Sequence, residues 1–483
     1  MGDENTVLDE SSARHLLRRT GFGALPKDLL NFTGRTRGEA ADLLLAFRPK
    51  GFKPAGPDFE GGHNKWVKYL VKTHFPLQEK LVLFWHDHFA TGYSKVLDIK
   101  RMALQNKTIR LNCKGDMRVL VKAMNKDAAM IEWLDTVRNH KATPNENYAR
   151  ELQELFTLGV LDFNGNPNYA QADIVQIARA FTGWTYDSDS SVVSFDDGEH
   201  DFSSNFPSRG TKQIYGVGTQ FRFDQPEGDT EGDQVTDIIF RHTDTSGRNT
   251  VARRTTRRLL EFFCHGGWAT PDATMIGIID NELIAPSSFD TTFVIQDILR
   301  AIFVHDIFYQ QDARVAVTPS IKWPTDFLVS TLRLLGMKLK GKDQVLEGGD
   351  FLRVLDHLTN MGQVLLDPPS VFGWNWENSW ISSATLLARY AFGRDLTGAR
   401  GGGARFKPEK LMDLGLTDPG DIVDAVTGIL GVKDDLSSGD RNALIAYLGG
   451  PSASLDLNDF DTRNEKLHGL FALVIQSPVY QVH

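Results

Sequence analysis

The stretch from Thr143 to Gly159 reads TPNENYARELQELFTLG and carries the signals of a helix with a defined start and stop. Thr143 stands as the cap, Pro144 as the first helical residue and Glu146 three after the cap, the spacing of a capping box. Gly159 supplies the stop. At about 100° per residue, Tyr148, Leu152, Leu155, Phe156 and Leu158 form one apolar face. Arg150, Gln153 and Thr157 mark the opposite one. Glu151 falls inside the apolar arc, with Asn147 and Glu154 along its edge. A buried carboxylate without a partner is costly, so Glu151 is expected to be protonated or matched by a cation, a metal or donors. Such misplaced carboxylates mark functional-site candidates and also structural ion pairs. Arg150 and Glu154, four apart, read as a helix-surface pair of small energy.

Working outward, the same helical period recurs along most of the chain. Two short helices are expected over 11–48, with Ser11 or Ser12 capping the first and Pro26 opening the second. A long helical pattern covers 62–91, and two helices over 99–136 meet at Gly115-Asp116. Helical pattern resumes over 236–266, 291–308, 321–338, 348–361 and 382–393, and Gly398–Gly403 reads as a flexible break. Between them, 186–235 turns to Ser, Asp, Gly and Phe and predicts an irregular or small-β insertion. The fold class is therefore mainly α, a multi-helix globular array. Its regions are 1–185, 186–235, 236–395 and 396–483, expected to form one compact unit.

Two polar patterns invite simple explanations. The basic residues Lys107, Arg110, Lys114, Arg118, Lys122 and Lys126 keep helical spacing and read as a solvated face. Asp162 to Asp173 (DFNGNPNYAQAD) matches part of a calcium-loop template, but Pro167 stands where the template wants Gly, so a plain turn is expected.

Three further segments carry candidate chemistry. In LVLFWHDHFA, His88 falls in the centre of the apolar face and His86 toward its edge. Residues two apart on a helix point about 200° away from each other, so each histidine must find its own partner. His200 and Asp201 lie in the irregular region, with Lys212 eleven residues on. Carboxylate plus imidazole suits general acid–base chemistry or a divalent-metal site, with His86, His88, Glu151, His200 and Asp201 as candidate ligands. After Thr250, Arg253, Arg254, Arg257 and Arg258 form two pairs at spacing four, suited to a phosphate or sulfate group or to a charged surface. PPSVFGWNWENSW places Phe372 and Trp374 as expected core and Trp376 and Trp380 as residues that could line a cleft.

The totals set bounds. At 483 residues the chain exceeds what one simple core needs, and 41% hydrophobic with 24% charged residues is ordinary for a globular protein. A net charge of -9 argues against a general nucleic-acid binder. No apolar run reaches the length of a membrane span. Cys113 and Cys264 read as two buried thiols, with one bridge between them open. Met1–Leu17 lack the pattern of a signal peptide, which leaves a cytoplasmic chain or a processed one open. P-loop, GxGxxG, GxSxG and HExxH motifs are absent, which disfavours the corresponding enzyme classes.

Taken together, RHLLRRTGFG, FWHDHFATG, NENYARELQELFTLGV, ADIVQIARAFTGW, HDF with the later Lys212, PPSVFGWNWENSWISSATLLAR and SPVYQ resemble, in order, the bacterial family catalogued as domain of unknown function 1800. The resemblance runs from about residue 13 to 481. It implies a largely helical protein, often exported, commonly encoded beside a sulfatase- or phosphatase-like companion. The family's Glu-Asn-x-x-Arg-Glu core maps to Glu146, Asn147, Arg150 and Glu151, and its His-Asp segment and Lys to His200, Asp201 and Lys212. Asp87 stands where the family usually has Asn.

Two readings follow. One is an enzyme, leaning toward hydrolase-like chemistry, with His88, Glu151, Glu154, Arg150, His200, Asp201 and Lys212 as catalytic candidates. Asn147, Trp376, Trp380, Arg254 and Arg258 would bind substrate, one divalent metal could assist, and the substrate would be an extracytoplasmic glycan or another anionic polymer. The other is a binding or assembly protein in which the same His/Glu network only fixes helix packing.

Overall fold

The computed structural model describes residues 4–483 apart from 217–218, 225–226, 265–270, 317–318, 341–344, 347–353 and 399–405. In the helix Pro76–His88 every residue from Leu77 to His88 is buried. Pro76 opens it at a position where the missing N–H costs nothing. A helix covered on all sides has no wet face, so each polar side chain on it must reach a partner in another segment.

Glu79 meets Arg110 of the Ile99–Asn112 helix in a two-point ion pair (Oε1–Nε 3.0 Å, Oε2–Nη2 2.6 Å), both side chains fully buried. Trp66 Nε1 also donates to Glu79. Lys80 reaches Asp326 of Pro324–Leu334 at 2.6 Å. Gln78 donates to the carbonyls of Lys50 and Arg110. Near the C-terminal end, His86 Nε2 accepts from the Leu366 N–H at 3.1 Å, Asp87 accepts from Trp374 N, and His88 Nε2 meets the Phe156 carbonyl at 3.0 Å. One helix thereby fastens segments drawn from positions 50 to 374.

Around it one contiguous set of buried apolar side chains runs from Leu8 to Tyr480, and a second, of Trp323, Trp374 and Trp380, lies beside it. The array is mainly α, with two antiparallel strand pairs among the described residues: Trp184–Tyr186 with Val193–Phe195 (Trp184 opposite Phe195), and Leu339–Lys340 with Val345–Leu346. The first hairpin and several 3-10 turns make up the irregular region after 186. Cys113 and Cys264 are free, buried thiols, each pushed up to about 12 by burial. Among the described residues no helix is long and apolar enough to cross a membrane.

Several local expectations change. Asp9, not Ser11 or Ser12, caps the first helix, accepting from Ser12 N at 2.7 Å. The 62–91 pattern is two helices, Phe59–Lys72 and Pro76–His88, because Pro76 cannot continue the first. The 236–266 pattern is likewise two, Glu231–Ile239 and Thr250–Phe263. Of 348–361, Val354–Asn360 is helical and the first part lies outside the described residues, as does most of 398–403.

The basic stripe is not a bare solvated face. Arg110 is buried on Glu79, Lys122 pairs with Asp237 and Lys126 with Asp233. At Asp162 the carboxylate accepts from the backbone of Asn164 and Asn166 and from Thr245 Oγ1, which holds its pKa down to about 2 despite some burial. The last template position, Asp173, caps Gln171–Ala180 by accepting from Ala170 N.

The Glu79–Arg110 pair gives the first testable outcome. Glu79→Gln should lower unfolding free energy by about 3–5 kcal/mol, since it leaves a buried guanidinium uncompensated. Replacing both partners, Glu79→Met with Arg110→Leu, should recover much of that loss. Urea unfolding of the three proteins checks this; a single variant as stable as the parent would contradict it.

Candidate functional site

The stretch from Thr143 to Gly159 departs from the expected helix at both ends. Thr143 pairs with His140 in an isolated bridge, and the helix starts at Asn147, whose N–H is taken by the Asn145 side chain at 2.9 Å. The capping box does not form, because Glu146 turns instead to Arg150 (3.1 Å) and Gln171 (2.8 Å). From Leu152 to Thr157 the winding widens to a π-helix, closed by Leu158 N and Gly159 N both donating to Gln153 O (2.8 and 2.9 Å).

The wider turn shifts the faces predicted by regular stepping. Gln153 and Thr157 are buried rather than wet, and Gln153 Oε1 accepts from the Tyr215 hydroxyl at 2.7 Å. Glu151 is half-buried, not enclosed. Burial raises its pKa above the ordinary carboxylate value, Glu154 raises it further, and Arg150 opposes both. Glu154, also half-buried, accepts from the Tyr169 hydroxyl at 3.2 Å.

The π-turn also leaves carbonyls for outside donors, since helix ends orphan their last C=O groups. Phe156 O takes His88 Nε2, and Leu155 O takes Arg254 Nη2 at 3.3 Å. Gly159, at φ +82°, makes the approach of Arg254 possible: a Cβ there would lie 2.6 Å from Nη1. The stretch that opened as an acidic helix thus ends as a seat for a guanidinium.

Arg254 belongs to Thr250–Phe263, whose four arginines differ in their surroundings. Arg253 is buried between Asp244 and Asp280. Arg257 Nε donates to Glu261 at 2.8 Å. Arg258 reaches Asp87 Oδ2 (3.4 Å) and Glu261 (3.5 Å), and its guanidinium lies 4.1 Å over the Trp376 ring. Among the described residues no carboxylate stands within ion-pair distance of Arg254, and its Nε is buried without a hydrogen-bond partner. Burial and the neighbouring Arg258 and Arg257 lower its pKa to about 10, so it stays charged. These arginines line a cleft of about 300 Å³ shared with Leu158, Leu161, Phe163 and Asp162.

Asp87 orients this wall. It accepts from Trp374 N (2.8 Å) and Trp376 Nε1 (3.0 Å) as well as facing Arg258. Burial pushes its pKa up to about 6 against the opposing pull of Arg258 and those donors. His88 is held near 3 by burial and by Arg258 and Arg254, so it is a neutral ring.

The remaining candidates lie elsewhere. His86 is neutral, held near 3 by burial, and spent on Leu366. His200, Asp201 and Lys212 are each 0% exposed. His200 Nδ1 meets the Thr182 carbonyl at 2.8 Å, which leaves Nε2 to accept from Lys212 Nζ at 3.3 Å. Lys212 also donates to buried Glu231, and Asp201 is clamped by Arg179 (3.0 Å) and Arg209 (2.6 Å). Arg150 and Asn147 sit on the surface side, Asn147 against Asp135 at 3.4 Å. Hence His86, His88, Glu151, His200 and Asp201 do not meet at one point. Among the described residues no three His, Cys, Asp or Glu side chains form a metal-holding group.

The aromatic assignments invert in part. Trp380 is 3% exposed and packs on Trp323, so it lines no cleft, whereas Phe372, expected in the core, is 66% exposed. Trp376 is half-buried under the Arg258 guanidinium, and Trp374 is buried. Sequence reasoning missed Glu231, which nothing in its local pattern marks, and the contacts of Asp87 with Trp374, Trp376 and Arg258.

The chain matches the family described as Protein of unknown function (DUF1800) over residues 15–482, nearly its whole length, and belongs to that family. No curated protein and no solved structure matches it.

Asp87 yields a pH test. Its folded pKa, about 6, lies above the unfolded value near 4. Its contribution to stability is therefore fully present below about pH 4 and is lost as pH rises through about 6. The stability of the parent minus that of Asp87→Asn, from urea unfolding at stepped pH, should fall by about 1–3 kcal/mol between pH 4 and 7. A flat difference would contradict the raised pKa.

Proposed function

We propose that the protein is an enzyme applying general acid–base chemistry to an extracytoplasmic glycan or another anionic polymer, one anionic group of which is held in the arginine cleft. The observation that carries this is Arg254: a charged guanidinium seated on Leu155 O and Gly159, with a buried unbonded Nε and no carboxylate at ion-pair distance among the described residues. A desolvated guanidinium of this kind gains most from an oxyanion, which it can bind by charge-assisted hydrogen bonds. Arg257 and Arg258 add positive field at the same wall.

Glu151 and Glu154 stand on the helix that seats Arg254, and Glu154 lies close enough to Arg254 to act on its charge. The raised pKa of Glu151, caused by burial and by the neighbouring Glu154, suits a proton donor. Family membership is compatible with an exported protein acting near a sulfatase- or phosphatase-like companion.

A second reading, a non-catalytic binding or assembly protein, is favoured by one observation. His86, His88 and His200 each hold a backbone group of a distant segment, as a structural network would.

Calorimetric titration with a sulfated polysaccharide and with a uronate polysaccharide separates the cases. Arg254→Gln should weaken binding of the preferred polymer about tenfold or more. Glu151→Gln should leave that binding intact and cut turnover by about 10²–10⁴. In the parent, turnover should fall as pH rises through the pKa of Glu151. Equal binding by Arg254→Gln would overturn the cleft, and binding without any turnover would support the second reading.

A further inference from the structure

We infer that a second cavity binds a free amphipathic monocarboxylate, with the carboxylate on Arg333 and the apolar body against Phe32, Phe47 and Phe75. This cavity, of about 360 Å³, shares no lining residue with the arginine cleft, so the inference stands apart from the reading of that cleft.

The cavity begins at the stretch RRTGFG, residues 18–23. Gly21 ends the helix Glu10–Thr20 where a Cβ would lie 2.9 Å from Pro76 Cβ, and Gly23, at φ +84°, turns the chain beside Leu334. The end of that helix therefore closes on the start of Pro76–His88, and Pro26–Phe32 and Arg37–Leu45 follow it around the cavity. Leu17, Phe32, Leu44, Phe47, Phe75 and Leu77 make its apolar wall. Apolar and aromatic walls with a few placed polar groups are the usual make-up of a small-molecule site. At the ~30 Å³ that a water occupies in the liquid, the space holds about a dozen non-hydrogen atoms.

Arg333, which also lines the cavity, sets the class of ligand. Its Nη1 donates to the carbonyls of Leu70, Val71 and Thr73 (3.3, 3.1 and 3.1 Å), where the helix Phe59–Lys72 ends, and that grip fixes the guanidinium. Nε is buried without a partner, so Nη2, which makes no hydrogen bond among the described residues, is the donor left open to the cavity. Among the described residues no carboxylate stands within ion-pair distance of Arg333. Burial lowers its pKa, and only Asp28 acts the other way. A guanidinium held in this manner with a spare N–H favours a carboxylate oxygen, by a charge-assisted hydrogen bond. The surroundings carry the same sign: Lys27 lines the cavity, and Lys50 and Lys114 each lie 4.6 Å over a lining ring, Phe75 and Phe47. Asp28 is the only carboxylate among the lining residues, so a single negative charge can enter without leaving the lining acidic.

Calorimetric titration at pH 8 with decanoate, decanol and acetate tests the site. Decanoate should bind about tenfold more tightly than decanol, and acetate should not bind at the same concentrations. Leu44→Trp, which fills the cavity, should abolish decanoate binding with an unchanged circular dichroism spectrum. Arg333→Gln should bring decanoate down to the level of decanol. Because Arg333 also holds the end of a helix, Asp28→Asn supplies a second test that leaves every hydrogen bond of Arg333 in place. It removes the competing charge and should tighten decanoate about threefold while leaving decanol unchanged. Decanol as tight as decanoate in the parent, or an unchanged decanoate affinity in Asp28→Asn, overturns the carboxylate assignment. Decanoate that fails to bind the parent, or that still binds Leu44→Trp, overturns the site itself.

Discussion

A helix that is covered on every side but carries Gln78, Glu79, Lys80, His86, Asp87 and His88 imposes one demand on everything around it: each polar group must be satisfied without water. The first half of Pro76–His88 meets the demand with ion pairs, Glu79 to Arg110 and Lys80 to Asp326. The second half meets it with backbone groups, Leu366, Trp374 and Phe156. Buried pairs of the first kind add little net stability over apolar packing, yet they are expensive to break singly. Contacts of the second kind fix where loops lie. The cleft wall is built from them, because Asp87 sets the 370–377 turn and His88 meets the end of the 147–157 helix.

The π-turn at the end of that helix links packing to function. A regular α-helix would have paired Leu155 O with Gly159 N; here Gly159 N goes to Gln153 O, and Leu155 O is left for Arg254. The cost of a wider turn is offset by burying Gln153 and Thr157 with partners, Tyr215 and Leu152 O. The outcome is a guanidinium fixed on the helix that carries two half-buried carboxylates, Glu154 being close enough to act on its charge.

Much of this was legible in the chain. The helical period gave the fold class, and the Arg spacing after Thr250 marked the arginines of the cleft. Periodicity failed where winding changed: Gln153 and Thr157 are buried, and Glu151 half-exposed, because Leu152–Thr157 does not step at the α-helical angle. Composition failed at the tryptophan-rich loop, where Gly373 packs on Asp87, nearly three hundred positions away, Phe372 faces water and Trp380 is buried on Trp323. Only tertiary structure brings those two together. The His200–Asp201 dipeptide looked like loop chemistry but is sealed by Lys212, Glu231, Arg179 and Arg209, none of them adjacent in sequence.

The central claim is that Arg254 holds an oxyanion. Crystals grown without sulfate or phosphate and soaked in sodium tungstate test it most directly, through the anomalous signal of the metal. The account predicts a peak in the cleft beside the Arg254 guanidinium, at the wall shared with Arg257 and Arg258. Tungstate bound elsewhere, with the Arg254 guanidinium unmoved and facing an empty cleft, would contradict it.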